Sequence, residues 1–412
     1  MPVALCLFIV IFLLARLSPK DSTPPSFVRT TAPPTNAFQS VHYSWSDMAP
    51  FQNGKIWLWT ISTSTNPSTR GYLYDLEERK VLGQLTNGWA VFSNGDQSRL
   101  LCAQVQSKDT ALQTIGRWLE RILNKKFSFK PGQVETFWVL DLRDNSAKRI
   151  GEVSQLPARG STWRPSPGFR YGYNVPSDAQ RWTFALCDLE ERTMTTLKVR
   201  GELRGWWDDE NIIVEEAINS FALFNISTRK TTPLFSAPMV EQFLSQAGLT
   251  NGPSGLQVFS TWNGGTNDIY LAPKVEFYNS REGFVLKVDR TSRTLKVQHR
   301  NLKFEHLGHL NAEGTHYLYS GESGLTGRGG NGGVFLRDLA SNVNHTLVEP
   351  DHRGQYALPR FYGNSVIYFR NRLLWRIDVN GSNNAPLFPV GETTDEHSAA
   401  SRSQRNQTTD KH

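Results

Sequence analysis

The chain has 412 residues and a formal net charge of +7, which is modest for that length. Its Lys and Arg residues form no dense run, so the composition gives no footprint of nucleic-acid binding. Three cysteines (Cys6, Cys102 and Cys187) are too few for a disulfide framework. Cys102 and Cys187 fall in separate apolar strands, and we expect both to be buried, inert thiols.

The N-terminal stretch is apolar from Val3 to Leu14. It is too short for an ordinary membrane-spanning helix and has the length of a signal-peptide core. No basic residue precedes it and no clear cleavage site follows, so residues 1–20 are predicted to be either a signal peptide or an uncleaved signal anchor. We expect the body of the protein to lie outside the cytoplasm, periplasmic or secreted. If the anchor is uncleaved, residues 1–17 tether it to the membrane.

The two ends of the chain differ in composition from the part between them. Residues 21–37 are rich in Pro, Ser and Thr, which predicts an extended linker. Residues 391–412 are polar without any apolar period, which predicts a disordered tail. Residues 38–390 form the predicted folded domain.

One sequence unit recurs through this domain. An alternating apolar run ends in Asp or Asn, a short polar turn follows, and a second apolar run begins. The Asp or Asn stands at Asp75, Asp141, Asp188, Asn225, Asp289, Asp338 and Asp378. Alternation with a period of two indicates a half-buried strand, and the Asp or Asn favours the turn because its side chain can accept hydrogen bonds from backbone N–H groups two residues on.

A second hairpin precedes each of these seven units, with its turn at an Asn, Asp or Gly pair or a similar short sequence. Its clearest turns are Asn53-Gly54, Asn94-Gly95, Pro167-Gly168 and Gly363-Asn364. The two hairpins alternate along the chain, so each unit contains four antiparallel strands. Units of four short strands stack radially into a propeller, since one unit alone cannot bury both faces of its sheet. The predicted fold is therefore all-β: a seven-bladed β-propeller of four-stranded antiparallel blades.

These hairpins, with partial copies of a Trp-Ser-Pro-Asp-Gly turn, resemble the bacterial TolB-like and WD40-like propellers from about Ser40 to Val390. The turn copies are Trp45-Ser46-Asp47, Ser93-Asn94-Gly95-Asp96 and Trp163-Arg164-Pro165-Ser166-Pro167-Gly168. The resemblance implies a propeller that binds ligands at its rims and channel. Propeller peptidases carry an α/β-hydrolase domain after the blades. We expect none here, because the tail is short and no Gly-x-Ser-x-Gly elbow occurs.

Two short helical insertions interrupt the strands. An amphipathic helix is predicted within 108–130, and it either lies across the rim or touches a membrane or partner. The residues on its apolar face are Leu112, Ile115, Leu119, Ile122 and Leu123. A second insertion, Pro238 to Leu249, has Pro at a helix start.

Candidate ligand-binding residues come from the first strand of each blade, which lines the central channel of a propeller. The titratable ones are His42, Arg204, Glu305, His306, His309 and Arg360. A channel-facing His together with Arg204 and Arg360 would suit an acidic ligand. The His306–His309 pair is a weak metal site, because an odd spacing on a strand places the two side chains on opposite faces.

Acid–base chemistry by two carboxylates is a further alternative. Asp208, Asp209, Glu210, Glu215 and Glu216 form an acidic group. Turn positions and solvated strand faces account for these residues more simply, so we assign them no catalytic role.

Complete coverage by repeats, without a transferable catalytic motif, favours a non-catalytic binding or scaffold propeller outside the cytoplasm. We expect a monomer without cofactor or metal, whose partner is another protein or a polymer of the cell envelope or extracellular space, and not nucleic acid. The alternative is a carbohydrate-active propeller, a polysaccharide lyase or glycoside hydrolase, with its site at the channel mouth.

Overall fold

Seven four-stranded antiparallel sheets make up the computed structural model of the protein, as the sequence predicts. The structure describes residues 23–30, 54–61, 69–108, 132–154, 163–174, 183–250, 255–260, 268–274, 282–303, 308–320, 333–350, 359–370 and 373–387. The predicted signal segment, the polar tail and the first helical insertion lie outside these residues. No helix within the described ranges is long and apolar enough to cross a membrane.

The sheets are numbered as blades one to seven in chain order. Blades one and two contain β1 (Ser26–Arg29), β2 (Lys55–Ile61), β3 (Thr69–Asp75), β4 (Lys80–Thr86), β5 (Trp89–Ser93), β6 (Arg99–Lys108), β7 (Gly132–Asp141) and β8 (Ala147–Ser154). Blades three and four contain β9 (Trp163–Pro165), β10 (Tyr171–Asn174), β11 (Thr183–Asp188), β12 (Thr193–Lys198), β13 (Glu202–Trp206), β14 (Asn211–Ala217), β15 (Ser220–Asn225) and β16 (Thr231–Phe235). Blades five to seven contain β17 (Leu256–Ser260), β18 (Ile269–Pro273), β19 (Glu282–Asp289), β20 (Thr294–Lys303), β21 (Gly308–Leu310), β22 (His316–Ser320), β23 (Val334–Asp338), β24 (Val343–Val348), β25 (Arg360–Tyr362), β26 (Ser365–Arg370), β27 (Leu373–Asp378) and β28 (Ala385–Pro386).

Blades two to seven each use four consecutive strands in chain order. The first strands of neighbouring blades approach one another, β5 against β9 and β13 against β17. The inner strands of a propeller line its channel, so in blades two to seven the first strand lies nearest the channel.

Apolar clusters join the blades in pairs. Between blades one and two, Trp57 and Leu85 pack with Leu100 and Trp138. The other clusters follow the same plan, including one between blades three and four that contains the fully buried Trp206. Burying one such large side chain contributes on the order of 2 kcal/mol. These large aromatic side chains therefore serve the contact between blades.

The seven recurring Asp or Asn residues behave as predicted in all but the last blade. In blades one to six the side-chain oxygen accepts a hydrogen bond from the backbone N–H two residues on. In blade seven, Asp378 instead accepts from the side chains of Ser382 and Asn383. The residue four positions after the Asp or Asn takes a positive φ in the first six blades, at Arg79, Asn145, Arg192, Arg229, Arg293 and Asn342. The turn is thus one repeated conformation.

Blade one has an addition that the composition did not predict. Residues Ser26–Arg29, within the predicted linker, form β1, which pairs antiparallel with β4 on the side of that strand away from β3. The Phe27 ring lies over Gly83, where a Cβ atom would come within 2.0 Å of it, and meets Trp57 edge-on at 5.8 Å. Gly83 is therefore needed for close approach of this strand.

The second helical insertion is confirmed as α1 (Ala237–Gln246). Ser236 caps its N-terminus, with its hydroxyl oxygen accepting from the Met239 N–H at 3.4 Å, and Val240 and Leu244 are buried. Cys102 and Cys187 are free and buried, and burial raises the pKa of each thiol. Both are the inert thiols that the sequence predicts.

Blades seven and one meet through side chains. The Tyr74 hydroxyl of blade one donates to the Leu387 carbonyl of blade seven at 2.6 Å, a buried contact. The Tyr362 hydroxyl of blade seven donates to Glu77 Oε1 at 2.9 Å. We call this contact between the two ends of the ring the seam. Burial raises the pKa of Tyr74 to about 12, so its hydroxyl stays protonated as a donor at neutral pH.

We expect Tyr74→Phe to weaken the seam. The change leaves the buried Leu387 carbonyl without its donor and should lower the free energy of unfolding by about 1–2 kcal/mol. Urea denaturation measures the difference. Tyr171→Phe is the matched control, since that hydroxyl makes no hydrogen bond to any described residue; equal loss in the two variants would contradict a special role for Tyr74.

A buried carboxylate joins blades two and three. Asp141, with only 3% of its side chain exposed, accepts from Arg143 Nη2 at 2.6 Å and from Arg192 Nη2 of blade three at 2.7 Å. Arg99 Nη1 of blade two donates to the Glu190 carbonyl of blade three at 2.7 Å. The hydrogen bonds from Arg143, with the charge of Arg192, hold the pKa of Asp141 well below its ordinary value.

A depressed carboxylate pKa makes stability depend on pH. The contribution of Asp141 is present above the unfolded-state pKa of about 4 and is lost as the pH falls below it. We expect Asp141→Asn to lower stability at neutral pH by about 2 kcal/mol and to reduce the further loss on acidification. Urea denaturation from neutral to acid pH tests this, with Glu191→Gln, an exposed acid of the next blade, as control; an unchanged pH profile for Asp141→Asn would contradict it.

Candidate functional site

Basic side chains stand at one level of the inner strands. Arg164 lies on β9, His309 on β21 and Arg360 on β25. Each pairs with the third residue of the next strand, Arg164 with Tyr173, His309 with Leu318 and Arg360 with Ile367. Strand register thus places these three residues at equivalent heights around the channel. We call them the basic level.

Arg204 is close to this level but displaced by a bulge. The pairing of β13 with β14 shifts register between Leu203 and Gly205, with Arg204 between them. Of the other predicted residues, His42, Glu305 and His306 lie outside the described residues. The structure therefore places three of the six predicted site residues, and brings two of them together.

Those two are His309 and Arg360. Arg360 Nη1 contacts His309 Nε2, joining the inner strands of blades six and seven. Both side chains are half-buried. Burial lowers the pKa of Arg360 to about 10. Burial, and then the neighbouring guanidinium, hold the pKa of His309 well below its ordinary value, so the imidazole is neutral at pH 7.

The tautomer of His309 follows from this contact. A guanidinium has only donors, so Nε2 of His309 must be the acceptor and the ring proton sits on Nδ1. Among the described residues, no carboxylate lies within ion-pair distance of either side chain. Among these residues, the contact uses one guanidinium N–H, and no carboxylate accepts from the other guanidinium N–H groups or from the imidazole N–H.

Arg204 is occupied by acids of its own blade. Its Nε donates to Glu215 Oε2 at 2.6 Å and its Nη2 to Glu202 Oε2 at 2.5 Å. Lys274 Nζ of blade five donates to the same Glu215 Oε2 at 3.2 Å. The Glu215 side chain is only 5% exposed, so it is a buried counter-ion shared by two cations. Arg204 is held as part of the interface between blades four and five.

Arg164 was not predicted as a site residue, because in the sequence it stood only within a turn motif. It is exposed, its Nη1 donates to the Arg204 carbonyl at 2.9 Å, and its own carbonyl accepts from Trp206 Nε1 at 2.8 Å. The sequence could have identified Arg164 by its position on a first strand, three residues before the Pro167-Gly168 turn. Arg360 has the same spacing, three residues before the Gly363-Asn364 turn.

The acidic group of blade four has structural roles. Asp208 accepts from the Glu210 and Asn211 N–H groups in the turn, and Asp209 accepts from the Gly168 N–H of blade three at 2.6 Å. The solvated-face interpretation holds for the exposed Glu216 but is wrong for Glu215, which is buried in its ion pairs. The sequence missed this because its partners come from a bulge and from another blade.

The chemistry of the basic level is that of anion recognition. Arginine N–H groups and a neutral imidazole N–H match phosphate and carboxylate oxygens. Within the described ranges, no group of three or more His, Cys, Asp or Glu side chains is placed to hold a metal ion.

No protein-family model matches the chain, and no curated protein matches it in sequence. Among solved structures, the chain is similar to the β-propeller domain of the Trilobed protease from Pyrococcus furiosus, with 12% identity, 84% of this chain and 98% of that one covered, and a TM-score of 0.49. For an oligogalacturonate lyase in complex with manganese the values are 12%, 84%, 93% and 0.46. For TolB from Acinetobacter baumannii they are 14%, 81%, 80% and 0.34. These similarities concern the fold alone.

We expect Glu215→Gln to destabilise the protein strongly. The amide cannot neutralise Arg204 and Lys274, which would leave Lys274 without its carboxylate and Arg204 with Glu202 alone, at a cost of about 3 kcal/mol. Urea denaturation measures the loss, and added salt should reduce it. Glu216→Gln removes the same charge from the exposed neighbour and should change stability by less than about 0.5 kcal/mol. Equal effects of the two variants would contradict the role of Glu215.

Proposed function

We propose that this propeller is a non-catalytic binding platform that works outside the cytoplasm, and that its ligand meets the channel at the basic level. The observation that carries the proposal is the contact between His309 and Arg360. Two basic groups from neighbouring blades are held together at the channel without an acid among the described residues. Groups kept in this state are suited to receive a ligand.

The architecture supports a platform. Inner-strand residues are held by a neighbouring blade, Arg164 by its bonds to Arg204 and Trp206 of blade four, and Arg360 by its contact with His309 of blade six. A ligand bound there would meet side chains whose positions are already set, which lowers the entropy lost on binding. The apolar leader at Val3 to Leu14 supports export from the cytoplasm.

A carbohydrate-active enzyme is the second candidate, and the neutral His309 is the observation that favours it. The Nε2 lone pair of a neutral imidazole can accept a proton once Arg360 turns from His309 to a substrate carboxylate. A lyase or hydrolase at the channel mouth would use the pair in this way. The two candidates place the ligand at the same residues but differ in what happens to it.

A thermal-shift panel with recovery of each compound separates the two candidates. The panel contains neutral and acidic oligosaccharides and soluble polymers of the cell envelope, tested on the wild type and on Arg360→Gln. If the protein is a binding platform, at least one compound should raise the melting temperature of the wild type and have a smaller effect on the variant. Mass spectrometry should show that the recovered compound is unchanged.

Chemical conversion of the compound would contradict the proposal of a binding platform and would support the enzyme. Two fragments with no added water indicate a lyase, and the addition of one water per cleavage indicates a hydrolase. A panel in which no compound shifts the wild type, or in which the shift is the same for Arg360→Gln, would contradict ligand binding at this level.

A further inference from the structure

We propose that one end of the propeller rests on a lipid bilayer, held there by the retained leader, residues 1–17. At this end, which we call the connection face, the last strand of each blade leads into the first strand of the next. The opposite end is the turn face, where the recurring Asp and Asn turns lie. The bilayer is a second partner, met by a surface other than the basic level, so this contact goes beyond the proposed function.

The chain that follows the leader joins the folded domain at the connection face. The Thr23 carbonyl accepts from Gln104 Nε2 of blade two at 3.0 Å, and the Pro24 carbonyl accepts from Asn87 Nδ2 at 3.4 Å. Asn87 lies between β4 and β5, the strands that link blades one and two. The leader therefore meets the propeller where one blade passes into the next, and not at the recurring turns.

Strand β1 holds this point of attachment in place. Besides the pairing of β1 with β4, the Phe27 N–H donates to Asn145 Oδ1 of blade two at 2.8 Å, and Ser26 Oγ lies 2.8 Å from Thr86 Oγ1 of blade one. Pro25 is buried between these contacts and those of Thr23. The start of the described chain is thus bound to two blades, so the leader leaves the propeller from one defined place.

The tether between leader and propeller is short. Eight residues, 15–22, separate Leu14, the last residue of the apolar leader, from Thr23, and no clear cleavage site lies among them. Even fully extended, they reach only about 30 Å. If β1 were released, the tether would run to Gly54 and could reach roughly 130 Å. Binding of β1 therefore keeps the connection face of blades one and two near the bilayer and limits how far the propeller can turn.

Two exposed apolar side chains lie at the same end of the propeller. Ile218, in the turn between β14 and β15, is 58% exposed, and Met239 on α1 is 44% exposed. The helix follows Phe235, which pairs with Phe221 at the start of β15, so both side chains belong to the connection face. A planar bilayer can contact them and the tether together, although they lie on different blades, because burial of apolar side chains among lipid chains is favourable.

The experiment measures the orientation of the full chain on phosphatidylcholine vesicles whose headgroups carry a fluorescence quencher. Ile218→Cys and Val343→Cys are each combined with Cys6→Ala and labelled with the same fluorophore; the other two cysteines are buried. Val343 is the matched control, because it is 47% exposed and directly follows Asn342 at the turn face. We expect both proteins to float with the vesicles, with loss of fluorescence for the label at position 218 and little change for the label at position 343.

A further substitution, Phe27→Ala, tests the role of β1. It removes the ring that lies over Gly83 and meets Trp57, so β1 is released more easily and the tether lengthens. We expect the variant to stay on the vesicles, because its leader is unchanged, and the difference in quenching between the two labels to shrink. Arg29→Gln changes an exposed side chain of the same strand and should leave that difference as in the wild type.

Three results would overturn the membrane contact: a full chain that does not float with the vesicles, equal or stronger quenching at position 343, or a protein isolated from its cells whose mass lacks the leader. Should Phe27→Ala fail to fold, the comparison of the two labels without that substitution still decides. The outcome is independent of the thermal-shift panel. Loss of the membrane contact leaves ligand binding at the basic level standing, and a panel without a ligand leaves the membrane contact standing.

Discussion

Each sheet of this protein has apolar side chains on both faces, so no blade is stable until two neighbours cover it. The clusters between the blades meet this requirement, and they include the buried Trp57, Trp138 and Trp206. Coverage from both sides also fixes each inner strand in height and rotation. The equal register of Arg164, His309 and Arg360 is therefore a result of packing that occurs away from the channel.

The contact between blades one and seven closes the ring, because these two blades come from opposite ends of the folded chain. No strand crosses between them within the ranges that the structure describes. The polar contacts at this seam include Tyr74 with Leu387, Tyr362 with Glu77, and an ion pair between Arg376 and Glu77 at 3.5 Å. A buried hydroxyl on a main-chain carbonyl resists separation better than an exposed ion pair does. The Tyr74–Leu387 bond is thus the firmest polar contact described at the seam.

The sequence predicted what depends on local pattern. Alternation gave the strands, and the Asp or Asn residues gave the turns, since their side chains bond to N–H groups only two positions away. Strand β1 escaped prediction because Phe27 is held by a space above Gly83 that exists only in the folded ring. Glu215 was misread for a related reason: its partners, Arg204 and Lys274, come from a bulge and another blade. Arg360 was predicted from its strand, but its contact with His309 depends on the angle between blades.

Blades two to seven are each one uninterrupted piece of chain. In-frame duplication or deletion of one such piece would break no sheet, so the number of units in a ring of this kind can change in a single genetic step. What resists the change is geometry at the junction, where the Tyr74 hydroxyl must arrive within bonding distance of the Leu387 carbonyl. An eighth blade would change the angle between every pair of neighbouring blades. Whether the Tyr74–Leu387 hydrogen bond still forms would then show whether the first and last blades still meet.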